Sequence, residues 1–455
     1  MIRFPDDFVW GAASSAYQIE GACEEDGRGP SIWDTFCHTP GRVYQGHVGD
    51  KAADHYHRYA GDVGIMAELG LNAYRFSIAW SRVLPAGKGK INTKGLDFYD
   101  RLVDALMEQG ITPFPTLHHW DLPQALQDEG GGWANRETAY HFAEFARLMV
   151  ERLGDRVTRW ITHNEPFVLS VLGHFMGEHA PGITDPLVTF QVGYHLLLSH
   201  GLAVDVLRTC SRQPPKVGIT LDYSPMHPAT ETDEDTQAAR RLDGIRNRMF
   251  FEPILLGEYP EDVREMLGPL MPEIKDGDLR QMSASIDFIG VNYYTRTVVR
   301  HDPGFPIIAA SPVEQEGNEY SMMWEIYPEG LYETITRVWH DYRPPLIYIT
   351  ENGIPVPDDV DHDGQVRDYR RIRYLRDHLF QVHRALEMGI PVKGYFHWSL
   401  TDNFEWAFGY RMRFGLVFVD FDTQERTIKE SGRWFARVIE NNGLDPASSG
   451  MHLTG

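Results

Sequence analysis

Short runs of β-branched and aromatic residues alternate with longer helical patterns along the chain. A strand-like run opens FVWGAASSAYQIE (8–20), and others cover 72–80, 111–119, 159–165, 216–222, 287–294, 346–352 and 392–400. Apolar spacing predicts helices over 54–69, 95–109, 136–152, 188–209, 235–251, 260–267, 328–341, 367–387 and 429–441. The strand runs are nearly continuous in apolar residues, without strict alternation, which indicates burial on both faces. Eight strands, each followed by at least one helix, fit a closed α/β fold, the (β/α)8 TIM barrel, better than a doubly wound sheet.

The predicted connections 21–53, 120–135, 223–234, 295–327 and 401–428 are long enough to roof one end of such a barrel. No linker rich in Pro, Gly and Ser divides the chain, and no short repeat recurs. One catalytic domain over 1–455 is expected, with its core at about 5–443 and a short polar tail. Polar residues gather where the strand runs end. Gln18 and Glu20 end the first; Arg75 and Trp80 belong to the second, His118 and His119 to the third, Asn164 and Glu165 to the fourth. Asn292 and Tyr294 end the sixth, Glu351 and Asn352 the seventh, and Trp398 the eighth, with Glu405 and Trp406 just beyond. In a barrel these ends share one mouth, where active sites lie.

The chain carries 65 acidic and 43 basic residues, a net charge of -22, and this field repels nucleic-acid backbones and anionic membranes. Small molecules are the expected partners, with no nucleic acid and no membrane; monomer and homo-oligomer both stay open. Cys23, Cys37 and Cys210 have neither metal spacing nor a disulfide framework and read as free thiols of a reducing compartment. MIRFPDDFVWG lacks the charged leader and apolar core of a secretory signal, so a cytoplasmic location is expected. The apolar stretch 187–204 is interrupted by His195 and His200 and reads as a buried or amphipathic helix, too broken for a membrane span.

Two acidic residues stand in unusual company. Glu165 lies in WITHNEPF among Trp160, His163, Asn164 and Phe167, and Glu351 ends the β-rich run IYITENG. A pair of carboxyl groups can deliver a proton to a poor leaving group and a nucleophile to an acetal carbon. By placement alone, rim carboxylates in salt bridges would read the same way. Metal chemistry finds little support. His55 and His57 are two apart and His118 and His119 adjacent, so neither pair shares a helix face. DDVDHD (358–363) lacks the twelve-residue calcium pattern and reads as a solvated turn. Phosphate-binding glycine loops are missing as well. No metal and no cofactor is expected.

At this point the chain resembles the β-glucosidases of glycoside hydrolase family 1. The resemblance rests on FVWGAASSAYQIEG (8–21), YRFSIAWSRVLP (74–85), TLHHWDLPQAL (116–126), THNEP (162–166), GVNYY (290–294), ITENG (349–353) and GYFHWSLTDNFEWAFGY (394–410), in order and over essentially the whole chain. It implies the same barrel and a retaining hydrolase that takes terminal β-D-glucosyl residues from β-glucosides and short cellooligosaccharides, with β-galactosides and β-fucosides also accepted. By motif, Glu165 matches the acid/base and Glu351 the nucleophile, supported by Tyr294, Arg75 and Asn292. Gln18, His119, Asn164, Trp398, Glu405 and Trp406 match the terminal-sugar subsite, and Phe167 and Trp324 fall on the leaving-group side. Phe167 stands where many members have Trp, which bears on leaving-group preference.

Physical reasons accompany these roles. Apolar surroundings and the charge of Glu351 would keep Glu165 protonated. Tyr294 or Arg75 could hold Glu351 ionised. Gln18 can donate and accept, His119 and Trp406 offer N–H donors, and Glu405 offers two charged oxygens to vicinal hydroxyls. Trp398 suits a stacking platform, and Asn164 suits the 2-hydroxyl. His118 reads as a packed neighbour. Trp33, Trp133 and Trp160 read as core or rim aromatics. A 6-phosphoglycosidase is disfavoured, because Glu405 would repel a dianion and WAFGYRMRFG lacks the corresponding Ser, Lys and Tyr pattern. A sugar-binding protein without catalysis would not need both Glu165 and Glu351.

Overall fold

In the computed structural model, which describes residues 2–445, eight parallel strands close into a barrel. They are β1 (Val9–Ala13), β2 (Ala73–Ser77), β3 (Thr112–His118), β4 (Arg159–Asn164), β5 (Lys216–Asp222), β6 (Phe288–Asn292), β7 (Ile347–Asn352) and β8 (Val392–Trp398). Each strand lies beside its neighbour in sequence, and β8 pairs with β1 to complete the ring. The main helices are α1 (His55–Glu68), α2 (Thr93–Glu108), α3 (Glu137–Leu153), α4 (Pro186–Cys210), α5 (Asp233–Asp243), α6 (Met249–Leu255), α7 (Glu329–Tyr342), α8 (Tyr369–Glu387) and α9 (Glu430–Glu440).

The strands are buried on both faces because two cores meet them. Inside the barrel, Phe114, Ile161, Phe288, Tyr348 and Phe396 fill the bore, with Phe114 and Phe396 edge to face at 5.0 Å. Outside, residues such as Leu117, Trp160, Ile219 and Ile349 pack against the helices. Each fully buried Leu, Ile or Phe contributes about 1.5–3 kcal/mol. Gly290 of β6 shows how tight the bore is near the mouth. A Cβ there would stand 2.4 Å from Thr220 Oγ1 and 2.8 Å from Thr350 Cγ2. The glycine of GVNYY is therefore set by backbone approach.

Several expectations change in detail. The strands stop sooner than the apolar runs, β2 at Ser77, β6 at Asn292 and β8 at Trp398. Gln18 lies beyond β1 on a short helix, Ala16–Ile19. Glu20 accepts from Arg82 and Tyr99 and serves the framework. The helix expected over 235–251 is interrupted. α5 gives way to one wide π-type turn, Gly244–Arg248, before α6, which contains Pro253. The roof is also more ordered than a set of loops. Met226–Pro228, Thr297–His301 and Ala310–Pro312 form a three-stranded sheet, and Val417–Val419 pairs with Arg426–Ile428.

At the opposite edge of the core estimate, Ile2–Arg3 pairs with Gly443–Leu444, so the ordered fold starts before residue 5. Of the expected tail DPASSGMHLTG (445–455), residues 446–455 lie outside the described residues. α4 is one continuous helix, as the expected helix over 188–209 requires. Its start is fixed by Asp185, whose side chain accepts from Leu187 N–H at 2.9 Å, and by Pro186 in the first turn. It is long and apolar enough to cross a membrane, yet 78% of its most apolar window is buried against the rest of the protein. Asp358 is not part of a solvated turn. It is buried and takes Lys429 at 2.5 Å and Arg371 at 2.9 Å.

Candidate active site

The C-terminal strand ends bring Glu165 and Glu351 into one buried hydrogen-bond network. Arg75 reaches up from β2 and spends its guanidinium on three other strands. It donates to Thr116 Oγ1 of β3 at 3.2 Å, to Glu351 Oε1 of β7 at 2.5 Å and to Asn164 Oδ1 of β4 at 2.6 Å. Tyr294 donates to the other carboxylate oxygen, Glu351 Oε2, at 2.6 Å. Asn292 of β6 donates to Glu165 Oε1 at 2.7 Å and to Asn164 Oδ1 at 3.1 Å, and its own oxygen accepts from Thr350 at 2.8 Å. The carboxylates are thus linked through Arg75, Asn164 and Asn292, and both are buried.

Glu165 turns the chain from β4 into the helix Pro166–His174. Its backbone is left-handed, with φ of 47°, and Pro166 occupies the first helical turn, where its missing N–H costs nothing. Such backbone is uncommon outside glycine and is frequent at functional sites.

The two acids differ in their company. Burial, the charge of Glu351 and the charge of Asp222 push Glu165 well above the usual carboxylate range, opposed by the Asn292 amide and Arg75. Burial raises Glu351 as well, but Arg75 and Tyr294 oppose it with a full charge and two direct hydrogen bonds. Donors that favour the ionised form are concentrated on Glu351, so a proton shared by the pair resides on Glu165. The arrangement can offer one acid and one anion side by side.

A second group of side chains walls the same mouth. Gln18 donates to Glu405 Oε2 at 3.2 Å and to the Phe404 carbonyl at 2.9 Å, and accepts from Ser15 at 2.7 Å. Burial and the charge of Glu351 push Glu405 up to about 8, against the donor from Gln18. Burial beside Glu351 therefore disfavours the charged form that the motif suggested. Burial drives His119 well below its ordinary value, so its ring is neutral. Its Nε2 faces the Asn164 amide at 3.0 Å, while Nδ1 is buried without a partner. With Nε2 accepting from that amide, Nδ1 carries a free N–H.

The His119 ring lies near-parallel to Trp398 at 5.7 Å and to Trp406 at 6.0 Å. The Trp398–Ser399 peptide bond is cis. Trp324 sits 4.9 Å from the Tyr294 ring, also beside Phe414. Phe167 presents little surface itself, being 7% exposed, because the Arg246 guanidinium covers its face at 4.7 Å. His118 is packed as expected against Trp133 and His163, and burial lowers it to about 3.

Residues that the sequence reading did not assign to the site also shape it. Trp120 donates from its indole to the Asn164 carbonyl at 2.9 Å and lies 4.7 Å from Trp406, while Trp33 backs Trp406 at 4.5 Å. HWD held a signal for Trp120, since it follows His119 directly; Trp33 is the core aromatic it was expected to be. Asp222 and Arg246 form an ion pair at 2.9 Å beside Phe167 and were not singled out. Elsewhere, Cys23, Asp34 and Asp50 bring one ligand-type atom each within 4.8 Å of one another. Arg28 already neutralises Asp34 at 2.8 Å, and burial raises the Cys23 thiol to about 11, so this group fits a metal poorly.

Comparison with known proteins agrees with this geometry. Residues 1–444 match the family model described as Glycosyl hydrolase family 1. Beta-glucosidase A of Thermotoga maritima is 49% identical over 97% of this chain and 99% of its own length. A bifunctional beta-D-glucosidase/beta-D-fucosidase of Bifidobacterium breve is 44% identical over 96% of this chain and 98% of its own. A solved structure of the Thermotoga maritima beta-glucosidase in complex with deoxynojirimycin superposes with a TM-score of 0.95 at 48% identity, covering 98% of this chain and 100% of that one. With the full-length match, the closed barrel and two buried glutamates at the ends of its fourth and seventh strands, the chain belongs to glycosyl hydrolase family 1.

Proposed function

We propose that this protein is a retaining β-glucosidase. It releases terminal non-reducing β-D-glucosyl residues from β-glucosides and short cellooligosaccharides, and it also accepts β-galactosides and β-fucosides. The observation that carries this reading is the unequal company of two neighbouring buried carboxyls. Glu351 has a guanidinium and a phenol on its two oxygens, and Glu165 has a single amide.

In the first step Glu165 gives its proton to the glycosidic oxygen as that C–O bond breaks, and Glu351 attacks the anomeric carbon from the opposite face. The leaving alcohol departs and a glycosyl ester forms on Glu351. Esterification removes the negative charge that held the proton on Glu165. Glu165 then takes a proton from water while the water oxygen attacks the anomeric carbon and Glu351 leaves as carboxylate. Two inversions give net retention.

The sugar is oriented by Gln18 and Glu405, by the free Nδ1–H of His119 and by the indoles of Trp398 and Trp406. Asn164 addresses the 2-hydroxyl. The name of the Bifidobacterium breve relative, a bifunctional beta-D-glucosidase/beta-D-fucosidase, supports the broader sugar range. The sugar-like inhibitor held by the Thermotoga maritima neighbour fits small-molecule glycoside binding. Free Cys23, Cys37 and Cys210 suit the cytoplasm, which we take as the location.

The test is the stereochemistry of rescue. Glu351→Gly should abolish turnover of an aryl β-glucoside, and azide should restore it by entering the vacated face to give the α-glycosyl azide. A β-azide from this variant would reverse the two roles.

A further inference from the structure

Two segments meet beside Glu165 that the reaction scheme leaves unused. Asp222 ends β5 and pairs in register with Asn292, the residue that donates to Glu165. The Glu165 backbone N–H bonds the carbonyl of Thr220, two residues before Asp222 on the same strand. Residues two apart on a strand share a face, and Thr220 reaches Thr350 across the bore, so Asp222 faces the mouth.

Arg246 arrives from the wide turn Gly244–Arg248. That turn is clamped by Asn247, which donates to the Ser224 carbonyl at 2.9 Å and accepts from the Ser224 N–H at 3.2 Å. So held, Arg246 stacks on Phe167, two residues after Glu165, and meets Asp222 at 2.9 Å. The contact is one of charge more than of aligned hydrogen bonds. Asp222 Oδ2 and Arg246 Nε are both buried without a hydrogen-bond partner, and Asp222 is 6% exposed. With the Arg246 side chain 31% exposed and Asp222 buried, a pair of this kind adds little to stability on its own. π-type turns often occur at functional sites.

We propose that Asp222, with Arg246 as its counter-ion, is a positioning residue that keeps the proton on Glu165 for the first step and strengthens Glu165 as a base in the second. This rests on the glycosidase reading above. Glu165 accepts from Asn292 of β6; the charges of Glu351 on β7 and Asp222 on β5 disfavour its ionised form, Arg75 of β2 favours it, and the Tyr294 hydroxyl is a further titratable group raised by its charge. Burial raises the Asp222 carboxyl, the Arg246 guanidinium at 2.9 Å opposes that, and the charge of Glu351 adds to the rise until Glu351 becomes an ester. Before reaction, Glu351 and Asp222 both disfavour a charge on Glu165. Once Glu351 is an ester, Asp222 is the anion that remains, and it alone of the two still raises the affinity of Glu165 for the proton of water. Arg246 limits the effect.

The signs follow for a pH profile. Asp222→Asn removes a negative charge and leaves Arg246 unopposed, and both changes favour ionised Glu165. The alkaline limb of kcat/KM on an aryl β-glucoside should therefore move down by about 0.5–1 unit. Arg246→Gln removes a positive charge from the same corner and should not lower that limb. The two variants therefore differ in sign, which loosening of the fold would not produce. An Asp222→Asn limb that coincides with wild type, or limbs lowered equally in both variants, would overturn the proposal. Failure of wild type to hydrolyse the aryl β-glucoside would instead reject the glycosidase reading, and this proposal with it.

Discussion

Replacing Tyr294 by Phe deletes one hydroxyl and isolates one hydrogen bond. That hydroxyl donates to Glu351 Oε2 at 2.6 Å, in a site where Glu351 is 3% exposed. A hydrogen bond to a charged group contributes about 1.5–3 kcal/mol. At about 1.36 kcal/mol per unit, its loss should raise the Glu351 value by roughly 1–2 units. Arg75 still holds Oε1 at 2.5 Å, so the carboxylate does not lose all support. The sign follows from which form the phenol favours. It donates to the ionised carboxylate, so without it Glu351 is protonated at higher pH and ceases to be a nucleophile there. The acidic limb of kcat/KM should move up by the same roughly 1–2 units, while activity well above that limb falls much less. The assay is aryl β-glucoside hydrolysis across both limbs, with thermal melts to compare folding. A lower plateau with an unmoved acidic limb would refute the argument, because Tyr294 would then be packing the site without tuning Glu351.

Glu165→Ala should cut cellobiose hydrolysis by about 10²–10⁴-fold, the usual reach of general acid catalysis. With a dinitrophenyl glucoside the ester should accumulate and azide should yield the β-glycosyl azide; an α-azide would contradict the assignment. Glu405→Ala should lower glucoside and galactoside kcat/KM from about twofold per neutral hydrogen bond lost to about 150-fold per charged one. A fucoside, lacking the 6-hydroxyl, should lose less, and equal losses on all three would remove the case for a 6-hydroxyl contact. For stability, Lys429 is fully buried between Asp358 and Asp402, and Lys429→Met should cost about 3–5 kcal/mol, read as a lower Tm. Burial raises Asp402, and Lys429 and Arg413 more than offset that, leaving its carboxyl below the usual range. Its stabilisation is therefore present above the unfolded value of about 3.9 and lost as pH falls through the folded one, and in the variant that loss should begin at higher pH.

The linear pattern alone determined the barrel. Strand period and burial are local properties, so the eight apolar runs and intervening helices were legible, and right-handed crossovers leave few ways to arrange them. Motifs likewise located Glu165 and Glu351, because strand ends in this architecture share one mouth. What no local pattern carries is which side chains meet across the bore. Arg75 serves Glu351 from 276 positions away and Asn164 from 89, and only closure and register bring β2, β4 and β7 within reach. The same holds for protonation. Glu405 looked like a charged acceptor in the motif, but its burial and its nearness to Glu351 exist only in the folded protein. The motif put Phe167 on the leaving-group side, but only the fold brings Arg246, from a turn that helical periodicity had smoothed over, across its face. Periodicity records what each residue contributes to its own element, while desolvation and charge pairing depend on neighbours that the chain supplies from elsewhere.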